Sequence, residues 1–124
     1  MARPANQRVA AKKARELLAR RLPGLDPVTV REHVVRAEQV AQVIWRRWQV
    51  GPYQWQVKHL RWYLEHRTHA MQPSTRYRHW LTIRALAYAL GRVDDWLGHL
   101  RGAWIRPTGE DAEPKAGRPP SLPS

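Results

Sequence analysis

Gln72-Pro73-Ser74-Thr75-Arg76-Tyr77-Arg78-His79-Trp80-Leu81-Thr82-Ile83-Arg84-Ala85-Leu86-Ala87-Tyr88-Ala89-Leu90-Gly91 has both ends of a helix written into it. Pro73 ends the preceding segment, and Ser74 is a residue type that caps the next. Gly91, followed by Arg92, supplies the stop. Trp80, Ile83, Leu86, Ala87 and Leu90 make one apolar face, and Tyr77, Leu81, Ala85 and Tyr88 a second. The narrow remainder carries Thr75, Arg78 and Thr82, with Arg76 and Arg84 at its margins. A helix with so little polar surface is expected at the centre of a small bundle. Arginines on what is left of that surface point to an anion.

The rest of the chain predicts partners for this helix. Before it, Asp26-Pro27 places a cap and a proline at the first helical position, and Thr29 with Glu32 offers a second capping box. Val30, Val34, Ala37, Ala41, Ile44 and Trp48 then keep the spacing of one buried face, so a long helix is predicted over 27–49. A second helix is predicted over 53–67, with Tyr53, Val57, Leu60 and Leu64 as its core stripe. Trp55 and Trp62 share another face with Lys58, His59 and His66. Trp62 is expected in the core, and Trp55 is open between core and surface. The quoted stretch is a third helix, 74–91, and Asp94 and Asp95 open a short fourth, 94–102.

Both ends differ in composition from this middle. Residues 1–25 hold seven basic side chains against Glu16, a local charge of +6 and half of the chain's net +12. Gln7 to Leu22 is helix-forming, but Val9, Ala10, Leu17 and Leu18 give only a thin apolar stripe. The expectation is a basic arm that docks on phosphates, or a loosely attached leader helix. From Pro107 the chain turns rich in Pro, Gly, Ser and acids, which predicts a disordered tail over 107–124. The organisation expected is therefore arm 1–25, helical domain 26–106, tail 107–124.

Composition narrows the chemistry. The 124 residues suffice for one domain, and the sequence pI of about 11.4 points to nucleic acid, an acidic protein or an anionic membrane. With no cysteine, disulfides, thiol nucleophiles and cysteine-based zinc sites are excluded, and a reducing cytoplasm fits. No stretch is long and apolar enough for a membrane span, so a cytoplasmic protein without a membrane partner is expected. His59, His66 and His69 could approach one another, but no acidic or cysteine ligand adjoins them and Arg61 and Arg67 crowd them, so no metal is expected. His33-Val34-Val35-Arg36 is read as a chance pattern, since both polar residues face away from the apolar stripe.

One set of residues carries a resemblance. A long helix opening near Thr29, a Leu-bearing second helix, then Ser74, Thr75, Arg78, Ile83, Arg84, Leu86 and Leu90 resembles the N-terminal SAM-like core-binding domain of phage integrases and other tyrosine recombinases. The likeness covers about residues 28–102 and departs from the usual pattern at Trp80-Leu81 and Ala87-Ala89. It implies an all-α, four-helix SAM-like bundle that grips double-stranded DNA, non-catalytic by itself and without a cofactor. A recombinase catalytic domain or other recombination proteins are its implied partners.

The DNA contacts expected are Arg76, Arg78 and Arg84, with Ser74 and Thr75 on phosphate at the helix start. Lys58, His59 and Arg61 would support them from the second helix, and Lys12, Lys13 and Arg15 from the arm. Two alternatives stand beside this reading. One is a helix-turn-helix regulator, whose turn would be longer than usual here. The other is an interaction adaptor anchored by Trp55 and Trp62.

Overall fold

A computed structural model of the chain describes residues 3–21 and 26–107. The described residues are all-helical. They form α1 (Gln7–Arg21), α2 (Pro27–Trp48), α3 (Val57–Trp62, continued by a π-helical turn Tyr63–Arg67), α4 (Pro73–Ala89) and the short α5 (Val93–Trp96). Single 3-10 turns occupy Pro52–Gln54, Leu97–His99 and Ala103–Ile105. The tail expected to be disordered lies outside the described residues beyond Pro107.

α2 begins as its sequence dictates. Asp26 caps it by accepting from the Thr29 amide at 2.9 Å and the Thr29 hydroxyl at 2.8 Å, with Pro27 at the first turn. Those two bonds hold the Asp26 carboxyl below the usual range. They also occupy Thr29, so the second capping box with Glu32 does not form. At the far end Gln49 takes the left-handed conformation, φ 56°, and its side-chain amide donates to the carbonyls of Trp45 and Arg46.

α4 ends as expected and starts one residue early. Gly91, φ +71°, donates to Tyr88 O at 3.0 Å, and Arg92 donates to Ala87 O at 2.9 Å. This is a Schellman closure, and its positive φ favours glycine. At the start Pro73 occupies the first helical position and Gln72 the cap, without a side-chain capping bond. Ser74 is therefore inside the helix rather than its cap.

α1 is not a detached arm. Ala10, Ala14, Leu17 and Leu18 are buried in the same core as α2 and α4. Alanine at these positions lets the helix backbones approach closely, so a stripe poor in large side chains still packs tightly. Asn6 caps α1 through the Val9 amide at 2.9 Å. Arg46 to Gln7 and Arg15 to Glu38 tie α1 antiparallel along α2. The Trp45 indole donates to Pro4 O at 3.2 Å, which holds the leading residues to the end of α2.

The second helix is shorter than its predicted span. Gly51-Pro52 starts a 3-10 turn, and Trp55 and Gln56 are extended before α3 begins. Trp55 is buried at 6% exposure, and its indole N–H finds no acceptor among the described residues. Burial removes Trp55 as an anchor for an adaptor's partner. Trp62 is half-buried and meets Trp48 edge-on, centroids 5.1 Å apart.

Candidate nucleic-acid interface

The polar edge of α2 meets the polar edge of α4 at one hydroxyl. Thr82 is fully buried, and its Oγ1 lies 2.8 Å from Arg36 Nε and 2.9 Å from His33 Nδ1. The guanidinium can only donate, so Arg36 donates to Thr82. The Thr82 hydroxyl can accept that bond and still either donate to His33 Nδ1 or accept from it; with Nδ1 as acceptor the imidazole is neutral and carries its proton on Nε2. Burial, with Arg36 and Arg84 adding repulsion against Glu32, pushes the His33 pKa down and favours that form. Sequence reasoning missed this contact. His33 and Arg36 do lie off the apolar stripe, but they face a second polar edge, a pairing invisible to hydrophobic periodicity.

Around this hydroxyl the cations gather. Burial lowers the Arg36 pKa, the nearby Glu32 carboxylate opposes that effect and the Arg78 charge adds to it, while Glu32 and Arg84 act in opposite senses on His33. Arg36, Arg78, His33 and Arg84 thus form a continuous basic seam where α2 and α4 meet. The two ion pairs of the described residues lie elsewhere, Arg15–Glu38 and Arg61–Glu65. Glu38 and Glu65 are thereby committed to Arg15 and Arg61.

α4 presents a different side from the one its pattern suggests. Thr82 is in the interior, whereas Tyr77, Leu81 and Ala85 are only half-buried and Tyr88 is 60% exposed. Thr82 and Arg78 border α2, while on the expected second core face Tyr77, Leu81 and Ala85 pack against the core only in part and Tyr88 opens to solvent. Ser74 and Arg78 are exposed and Thr75 is half-buried, one turn apart at a helix start without a side-chain cap. The Ser74 and Thr75 amides lie in the free first turn, and with their hydroxyls they are groups of the kind that can take an anion at a helix start. Arg84 is exposed too, and with Arg101 it borders a cleft of about 240 Å³ lined by Trp80, Leu97, Leu100 and Ile105.

Other expected contacts are used inside the fold. Arg76 donates from Nε to Thr68 Oγ1 at 2.9 Å and from its Nη2 to Leu64 O at 3.0 Å, and its guanidinium lies 5.3 Å from the Trp104 ring centroid. It bonds one carbonyl and one hydroxyl at the π-helical turn and covers Trp104, a structural task that burial reflects by lowering its pKa. Arg61 bonds Glu65 and the carbonyls of His99 and Arg101, and faces Trp104 from 5.5 Å. Together the two arginines clamp the C-terminal turn. His59 is buried, and its Nδ1 accepts from the Gln56 amide at 2.9 Å as part of the α3 cap. Burial first, then the Lys58 charge, lowers its pKa. Lys58 and Lys12 remain exposed, Lys13 is half-buried, and Arg15 is engaged with Glu38 at 3.0 Å.

A buried tyrosine–histidine pair lies beneath the seam. The Tyr63 hydroxyl is 3.0 Å from His79 Nδ1. Burial pushes Tyr63 up to about 12, against a smaller opposing effect of Arg67. Burial, reinforced by Arg36, pushes His79 down to about 4. Both are neutral at ordinary pH, as expected of a structural hydrogen bond rather than an activated nucleophile. Among the described residues no group of three His, Asp or Glu side chains could hold a metal, and no helix is long and apolar enough to cross a membrane.

No protein-family model matches the chain, and it matches none of the curated proteins or solved structures with which it was compared.

Proposed function

We propose that the chain binds double-stranded DNA, non-catalytically, through the basic seam of α2 and α4. The observation that carries this reading is the absence of an acid paired with Arg36, Arg78 or Arg84 among the described residues. Glu32 offsets part of the charge at Arg36 from a distance, but three arginines without an ion-pair partner among the described residues leave a net positive row. Such a row suits a polyanion, whose phosphates recur at regular spacing and release counterions on contact. Arg78 and Arg84 reach outward, Ser74 and Thr75 offer phosphate contacts at the start of α4, and Lys58, Lys12 and Lys13 extend the field. Arg76, Arg61 and His59 act by holding α3, α4 and the C-terminal turn in place.

The likeness of the quoted stretch to integrase core-binding domains supports a role in DNA integration or recombination, with a catalytic domain as partner. The exposed flank of α4, with Arg78, Arg84 and Tyr88 and the half-buried Leu81 between them, is broader than its sequence pattern suggests and leaves room for a groove contact. The test is fluorescence anisotropy with a duplex of random sequence. Arg78→Ala and Arg84→Ala each weaken binding about threefold to tenfold with an unchanged unfolding midpoint. Unaltered affinity in both variants rejects the seam as the contact surface.

A further inference from the structure

A second cationic surface lies three turns along α2 from the seam. Arg36 and Arg47 are eleven residues apart, so they lie on one side of the helix, separated by roughly 16 Å. There the Arg47 guanidinium lies 5.0 Å from the Trp48 ring centroid and 5.9 Å from that of Trp62. The two indoles meet edge to face at 5.1 Å and 83°. His66, exposed, stands 6.0 Å from Trp62 at an interplanar angle of 36°. Lys58, also exposed, lies one turn before Trp62 on α3.

Both indoles are half-buried. Beneath Trp48 lies the buried His59 ring, centroids 4.7 Å apart, itself fixed by the α3 cap. The aromatic step is therefore rigid, and ordering it on binding costs little side-chain entropy. Exposed cations border it, while the nearby Glu65 is bonded to Arg61. Packing accounts for the buried edges of these indoles, and ring contacts within the chain hold Arg47 and His66 against them. Together with Lys58 they leave the exposed parts of the indoles bordered by positive charge.

We propose that this platform stacks unpaired nucleobases of single-stranded DNA adjoining the duplex. The inference rests on the nucleic-acid reading for its partner, but on different residues. Stacking on a tryptophan is tolerant of base identity, and flanking cations track the phosphates. The spacing from the seam corresponds to about five base-pair rises of 3.4 Å, so a strand of about five nucleotides or more beyond a duplex end spans it.

The test uses the full chain with three labelled DNAs: a blunt duplex, the same duplex with a ten-nucleotide oligo-dT overhang, and oligo-dT of fifteen nucleotides. The expected result is that the overhang tightens binding about tenfold and that oligo-dT quenches tryptophan emission. Trp62→Leu removes most of that advantage. Arg47→Ala and His66→Ala, at exposed positions, reduce it severalfold and keep the test decisive where Trp62→Leu fails to fold. The Arg78→Ala, Arg84→Ala double variant weakens the blunt duplex yet keeps the overhang advantage.

Equal affinity for blunt and overhung duplexes overturns the proposal, as does an overhang advantage unchanged in folded platform variants. Competition by polyglutamate as effective as by oligo-dT assigns the surface to an acidic protein and also overturns it. Binding of oligo-dT without binding of blunt duplex leaves the platform standing and rejects the duplex reading.

Discussion

Thr82→Val is the sharpest perturbation of the joint between α2 and α4. Valine keeps the shape of a fully buried side chain and removes only the hydroxyl. Two bonds go with it, the 2.8 Å bond from Arg36 and the 2.9 Å bond to His33. A bond to a charged donor contributes about 1.5–3 kcal/mol and a neutral one about 0.5–1.5 kcal/mol. Arg36 and His33 are half-buried, so water recovers part of the loss, and the net cost is about 1–3 kcal/mol. For a domain of this size that lowers Tm by roughly 5–15 °C. Urea and thermal unfolding followed by circular dichroism measure it. A double-mutant cycle with Arg36→Met isolates the shared bond, with an expected coupling of about 1 kcal/mol. A cost below about 0.5 kcal/mol together with zero coupling refutes the view that this hydroxyl organises the seam.

Arg76→Ala removes one of the two donors to the Leu64 carbonyl, which keeps the Thr68 hydroxyl, and uncovers Trp104, so it destabilises by about 1–3 kcal/mol, measured by urea unfolding. A phosphate contact without a structural task would instead lose DNA affinity at unchanged stability. Gly102→Ala drives a Cβ into the Trp104 ring. Gly102 is extended, φ 174°, so the cost is a displaced indole and a weakened bond from Trp104 Nε1 to Leu100 O, seen as a lower Tm. Stability also follows pH through His79. Its pKa falls from 6.5 to about 4 on folding, so the unfolded chain takes up this proton first as pH drops. The contribution is complete above about pH 6.5 and is lost as pH falls toward 4. The shift corresponds to at most about 3 kcal/mol, and solvent screening leaves about 1–2 kcal/mol. His79→Gln flattens the urea midpoint between pH 6.5 and 5.

The elements that depend on local chemistry are legible in the sequence. Asp26-Pro27 starts α2, Gly91 ends α4, and Asp94 and Asp95 lie in the first turn of α5. What depends on long-range pairing is not. Nothing local distinguishes the alanines of α1 as a close-packing surface from those of a solvated helix, and the positive charge around them favours the second reading. Trp55-Gln56 breaks the predicted second helix because Trp55 is drawn into the core and Gln56 caps α3 with His59. Arg76 looks like Arg78 in sequence, and only the π-helical turn after Trp62, which brings the Leu64 carbonyl and Thr68 hydroxyl into reach, separates their roles. The seam itself is made from one polar edge on each of two helices, so neither helix announces it alone.

The arginines at the joint of α2 and α4, none of them in an ion pair among the described residues, are proposed to bind duplex DNA. This binding is tested most directly by measuring duplex affinity across a salt series for the native chain and for Arg36→Ala, Arg78→Ala, Arg84→Ala combined. Each lost phosphate contact reduces the slope of log affinity against log salt by about 0.9, so the triple variant flattens it by roughly 2–3. No duplex binding by the native chain at low salt, or an unchanged slope in a folded triple variant, contradicts the account.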